Sequence, residues 1–199
     1  MITIKVLRPL QQGAWLLAIA LISFGCKKDK GGDDDGDEPA ADDYYVSFKA
    51  NGNPVKYTSS ASAQLGQLSG DQLYSATMQG YQNLVAPTQE LMGLILWDKQ
   101  ALSTRTYANA NLVKKGNGDE LIQVVVTYVD SNKDSYQSMR VTSTVPPLDK
   151  VVSDVQVTFT TLTASRVSGS FSGTLYKVTD PTLTAKMVIT EGKFNLKRL

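Results

Sequence analysis

Histidine is absent from the 199 residues, and there is a single cysteine, Cys26. Without an imidazole, Ser-His-Asp and Cys-His catalysis are excluded, and so are histidine- or thiolate-based zinc sites in the folded part. Covalent haem attachment, which uses a C-x-x-C-H element, is excluded as well. A lone cysteine makes no intrachain disulfide, so any fold here must hold by packing alone. The N-terminal apolar run, Ala14 to Phe24, has eleven residues, well short of the roughly 20 that span a bilayer. The cations are scattered rather than striped, which gives nucleic-acid binding little support.

What is present begins with that apolar run. Lys5 and Arg8 precede AWLLAIALISF, and Gly25 and Cys26 follow it. This is the layout of a secretory signal, expected over residues 1–25. The small residue, the cysteine and the abrupt polar stretch resemble a bacterial lipobox, with one departure: Ser23 stands where leucine is usual. The resemblance implies that Cys26 is lipidated and serves as the anchor. Each buried acyl CH₂ adds about 0.8 kcal/mol, so several chains hold firmly.

Residues 26–43 then form the anchor residue and a tether. Lys27 to Asp43 carries eight acids against three lysines, with Gly31, Gly32, Gly36 and Pro39. Such a segment buries too little to offset its ordering entropy. It reads as a disordered spacer reaching about 20–25 Å. The alternating acids Asp33, Asp35 and Asp37 have no ligand-bearing scaffold behind them, so a solvated spacer is the plainer reading.

Residues 44–199 make one domain, with fifteen cations against eleven acids. Strand signals dominate it. In VQVTFT, Val155, Val157 and Phe159 alternate with polar residues, the period of a half-buried strand. LIQVVVTYV (Leu121 to Val129) and MGLILW (Met92 to Trp97) are apolar on both faces and predict central strands covered on both sides. YVSFKA, VKYT, QLYSATMQ, YQSMRVT, VSGSFSGTLYKV and AKMVITEGKFNLK are further strands. Asn51-Gly52 predicts a tight hairpin. In the last segment the apolar parity switches from Met187 and Ile189 to Phe194 and Leu196, which predicts a β-bulge at Glu191-Gly192. The glycines flanking Phe171 in GSFSG predict a bulky neighbour or a close backbone. No window carries a three-turn amphipathic helix. The expected fold is all-β, an antiparallel β-sandwich of roughly nine to ten strands, with a lipocalin-like β-barrel as the alternative.

The tether, the opening VSFKANGNPVKYT, the middle GLILWDKQALSTRTY, then DVQVTFTTLTASRVSGSFSGTLY and the closing MVITEGKFNLK resemble a group of uncharacterised Bacteroidota lipoproteins. Their shared elements are an F-x-A-x-V-N-G near the start and V-S/T-G-x-F-S-G followed by I-T-x-G-x-F at the end. The opening here, FKANGNPV, is one residue shorter between Ala50 and Asn51. The resemblance implies a β-sandwich on an outer-membrane lipid anchor, facing the periplasm or the cell surface. It carries no active-site residues.

Candidate sites are few. GSFSG has Phe171 where a nucleophile elbow needs serine, so it reads as strand. DSNKD places Asp130, Asn132 and Asp134 at the spacing of half a calcium loop. Ser135 and Val141 occupy the glycine and glutamate places of an EF-hand, so a turn is favoured over a metal site. Trp97 could pack in the core, or stack on a sugar ring with Tyr107 or Tyr81 and with Asp98 or Asn83 as polar hooks. Glu90, Asp98, Asp119, Glu120 and Glu191 could supply a hydrolase's carboxylate pair, but no spacing singles one out. The expected role is a non-enzymatic binding module for a glycan or a protein. No cofactor is expected, and the membrane is reached through Cys26. A structural accessory of an outer-membrane complex is the alternative, and a carboxylate-dependent hydrolase comes third.

Overall fold

The computed structural model describes residues 44–68, 70, 72–83, 90–141 and 151–199. Cys26, the signal and the acidic spacer lie outside the described residues. All regular structure in the described part is β: β1 (Tyr45–Ala50), β2 (Asn53–Tyr57), β3 (Ser59–Leu68), β4 (Leu73–Tyr81), β5 (Leu91–Asp98), β6 (Thr106–Ala108), β7 (Leu112–Lys114) and β8 (Glu120–Ile122) come first. They are followed by β9 (Val124–Val129), β10 (Ser135–Gln137), β11 (Arg140–Val141), β12 (Val151–Val152), β13 (Gln156–Leu162), β14 (Arg166–Lys177) and β15 (Lys186–Arg198).

Eleven of these strands form one continuous ladder, β2-β1-β15-β3-β4-β5-β9-β10-β14-β13-β6, and β14 also pairs with β15. The ladder therefore returns on itself. Around this ring, β2-β1-β15-β14-β13-β6 run side by side as a six-stranded layer and β3-β4-β5-β9-β10 as a five-stranded one, joined edge to edge, so the all-β fold has features of both a sandwich and a barrel. The two long strands turn the corners. The end of β15 pairs with β3 at Lys197–Ser62 and Arg198–Ala63, and the end of β14 pairs with β10 at Lys177–Tyr136. The β15–β3 pairing is parallel, so the sheet is mixed. Two short hairpins, β7–β8 and β11–β12, stand apart from it.

Alternation builds the core. Val46, Phe48 and Ala50 of β1 are buried, as are Met92, Leu94 and Leu96 of β5, while their chain neighbours face out. Aromatic rings run through the interior in sequence. Tyr136 stacks on Tyr128 (centroids 6.3 Å apart), Tyr128 meets Phe48 edge-on (5.3 Å), and Phe48 touches Phe171 (5.9 Å). Phe171 then meets Phe194 (6.4 Å), Phe194 meets Phe159 (6.0 Å), and Phe159 meets Tyr107 (5.5 Å). The Phe48–Tyr128 contact joins β1 of one layer to β9 of the other. Burial raises the pKa of Tyr57, which lies edge-on to Phe48 (5.9 Å).

Asn51 and Gly52 both have positive φ (48° and 85°) and join Ala50 to its partner Asn53, a two-residue primed turn. β15 carries one extra residue at Glu191-Gly192. Ser47 pairs with Lys193 but Lys49 with Thr190, and Phe171 pairs with Gly192 but Gly173 with Ile189. Glu191 takes the left-handed conformation (φ 53°), and Met187, Ile189, Phe194 and Leu196 are all buried. The bulge thus keeps both apolar pairs inward.

Other expectations change. Among the described residues fifteen strands replace nine or ten: two predicted runs break, and β3, β6, β7 and β12 form outside any of them. LIQVVVTYV divides at Gln123, where β8 leaves to pair with β7. YQSMRVT divides after Gln137, and the Ser138 hydroxyl accepts the Val126 N–H instead (2.9 Å). The apolar runs on β5 and β9 are not covered on both sides. Ile95, Trp97, Val125 and Val129 are half-buried on the outer face, because the two-layer plan supplies no third layer above them.

Candidate functional site

The sites proposed around Trp97 are not assembled. Trp97 and Asp98 are neighbours on β5 and therefore point to opposite faces: Trp97 outward and half-buried, Asp98 inward. Tyr107 is fully buried against Phe159. Tyr81 shares the outer face with Trp97 but pairs with Leu91 at the other end of β5, about 20 Å away along the strand. Asp130, Asn132 and Asp134 form the β9–β10 turn. Asp130 Oδ1 accepts the N–H groups of Asn132 and Asp134 (2.9 Å each), and Lys177 Nζ donates to Asp134 (2.7 Å). Asp130 is thus engaged by the turn itself and Asp134 by Lys177 of β14. No group of three metal-ligating side chains occurs among the described residues.

Two other concavities are built from polar side chains. The first lies on the outer face of the six-stranded layer. Strand register places Lys56, Ser47, Lys193, Ser170, Thr158 and Thr106 in one cross-strand row. Beside it run Pro54, Lys49, Glu191, Ser172 and Gln156, and all of these but Thr106, which lies past the end, line an open groove of about 770 Å³. Alternation explains the chemistry: each contributing strand sends its large apolar residues to the core, so short hydroxyls, amides and lysines remain outside. The bulge turns Glu191 outward, where its carboxylate accepts from Lys49 Nζ at 2.6 Å. Lys56 Nζ lies 5.3 Å above the Tyr45 ring. Thr106 and Thr158 hydroxyls are 2.8 Å apart. Three ammonium groups against one carboxylate leave the groove cationic. Tyr45, Lys49, Lys56 and Lys193 did not emerge from the sequence as a site. The signal was there in YVSFKA, whose outward set is Tyr45, Ser47 and Lys49, but the neighbours on β15 depend on register.

The second concavity, of about 740 Å³, sits where β5 ends, beside β6, β7, Gln123 and β11. Its floor is a buried carboxylate. Asp98 Oδ1 accepts the Gln100 N–H (3.0 Å), and Oδ2 accepts from Arg105 and from Gln123 Nε2 (3.4 Å). Arg105 also lies over the Tyr107 ring, 4.8 Å from its centre. The hydrogen bond to Tyr107, with the Asp98 charge, raises the Arg105 pKa further. Beneath, Asn109 donates to Val124 O (2.9 Å) and to Ser138 Oγ (3.3 Å). Tyr107 fixes the wall: its hydroxyl accepts the Ser103 N–H (2.9 Å) and donates to Ser103 O (3.1 Å). We expect Tyr107→Phe to cost about 1–2 kcal/mol in urea unfolding, since Ser103 is exposed and water replaces part of each bond. An unmoved midpoint would show that the β5–β6 loop is held by other contacts.

Comparisons with protein-family descriptions, curated proteins and solved structures return no match for this chain.

Proposed function

We propose that this chain is an exported lipoprotein, anchored in an outer membrane of the Bacteroidota type through Cys26, whose folded domain captures a glycan without acting on it chemically. The apolar run, Gly25-Cys26 and the acidic spacer support the anchor. The groove on the six-stranded layer carries the binding reading: a row of hydroxyl, amide and ammonium groups on five adjacent strands suits an extended polyhydroxylated chain. Tyr45 is the aromatic beside it. The excess of lysine favours acidic over neutral polymers.

The test is thermal unfolding of the protein against neutral and acidic polysaccharides. A ligand at 100 times its Kd adds about 2.7 kcal/mol, which is about 5–10 °C for a domain of this size. Acidic glycans are expected to raise Tm, and Lys56→Ala with Lys193→Ala should remove the shift while leaving unliganded Tm within about 1–2 °C. An undiminished shift in that variant would move the site elsewhere.

One observation favours a second reading, a structural accessory of an envelope complex. The outer face of the five-stranded layer groups half-buried Leu91, Ile95, Trp97, Val125 and Val129, apolar side chains suited to a protein surface. Ile95→Asp would then abolish complex formation without touching glycan binding.

A further inference from the structure

The concavity at the end of β5 has an asymmetry in its hydrogen-bonding groups. Both oxygens of Asp98, the one carboxylate lining it among the described residues, are taken. The Gln123 carbonyl oxygen is also taken, by Asn111 Nδ2 (2.9 Å) and the Ala108 N–H (3.3 Å). The donors are in surplus. Lys99, Arg105, Lys114 and Arg140 all line the space. Arg105 is pinned at one edge by Asp98 and on its flat face by Tyr107, so its remaining N–H groups are fixed in direction. Arg140 is tied, among the described residues, to the Ala110 carbonyl through Nη1. Lys114 reaches only the exposed Glu120, at 3.9 Å, and Lys99 has no partner among the described residues. Acceptors are spent, donors are held in place, and the lining charge is positive.

We infer that this cleft is an oxyanion site, taking a carboxylate or phosphate group carried on a larger polar molecule. Two guanidinium groups meet such a group with paired N–H donors, and two flexible ammonium groups close over it. The floor pair, Asp98 with Arg105, positions one of those guanidiniums. The volume far exceeds a free ion, so the anion is an attachment point and the rest of the ligand fills the remaining space. This site shares no residue with the groove on the six-stranded layer, and neither proposal depends on the other.

The experiment is titration of the protein with inorganic phosphate, glucuronate and glucose 1-phosphate, read by calorimetry against sodium chloride at matched ionic strength. Binding of at least one oxyanion beyond chloride is expected; preference for glucuronate identifies a carboxylate ligand, and preference for the phosphates a phosphoryl one. Arg140→Gln should weaken that binding about tenfold or more. Lys99→Gln with Lys114→Gln, both at exposed positions, should weaken it independently and keeps the test decisive if Arg140→Gln misfolds. Lys186→Ala, at an exposed position of β15 outside both concavities, should change nothing. No heat beyond chloride, or equal affinity in the lysine double variant and Arg140→Gln, would overturn the assignment.

Discussion

Replacing Gly169 by alanine is expected to unfold much of the protein at moderate urea. A Cβ at that position would lie 2.0 Å from the Thr158 carbonyl oxygen and 2.6 Å from Phe194 Cζ. A side chain can swing aside, but the Thr158 oxygen belongs to the β13–β14 ladder and moves only if the ladder does. Overpacking of this kind costs 1–3 kcal/mol and sometimes more, and the backbone clash puts Gly169→Ala at about 3 kcal/mol or above. For a domain of this size that lowers Tm by roughly 6–12 °C. Gly66→Ala is the control: its Cβ would meet nothing nearer than Ser75 Oγ at 4.0 Å, so stability should be unchanged or slightly higher. If Gly169→Ala matched Gly66→Ala, the close β13–β14 approach would be wrong.

The second large effect belongs to Phe194, buried within the aromatic series between Phe159 and Phe171. Phe194→Ala is expected to cost 3–5 kcal/mol, the usual range for emptying such a site. Phe194→Leu should cost about 1–2 kcal/mol, because most of the volume stays filled. In urea both should shift the midpoint without changing the slope. The pair Gly169 and Phe194 also separates two causes. Combining Gly169→Ala with Phe194→Leu relieves the ring contact but not the Thr158 oxygen. We therefore expect the double variant to be no more stable than Gly169→Ala alone. Full recovery would mean that the ring, not the backbone, makes alanine intolerable.

The sequence made some of this legible and withheld the rest for definable reasons. Parity along one strand is local information, so the inward sets around β13 and along β15 could be read directly, as could the parity switch that places the bulge at Glu191-Gly192. The Asn51-Gly52 turn was legible because few other residues accept two successive positive φ values. β3 was not legible. Its SSASAQLGQL has no β-branched or aromatic residue, and it is a strand because Ala61 and Ala63 fit the crowded interior where larger side chains would not. The sites failed differently. Trp97, Asp98 and Tyr107 are close in the chain, and chain proximity suggested a cluster, but strand pleating and burial separate them. The lysine row needs the pairing of β2, β1 and β15 across the domain, and no stretch of sequence states that register. Gln123 shows the same limit: inside a run of strand-forming residues, its buried amide marks the place where the strand stops and the polar floor begins.

The closing of the ladder has a consequence in time. β15 follows the other fourteen strands in the chain, yet it seals both β1 and β3, which lie at the far end of the domain. Contacts so distant in sequence are slow to form, and folds dominated by them take milliseconds to seconds. Through that interval β1 and β3 wait with open edges. The waiting edges have little stickiness. Where β15 will pair, β3 offers Ser62 and Ala63, poor material for cross-chain stacking, and β1 sets Lys49 among its outward residues. The residues that hid β3 from a reading of the sequence are thus the ones that let a late-closing chain remain unassembled without pairing to its neighbours.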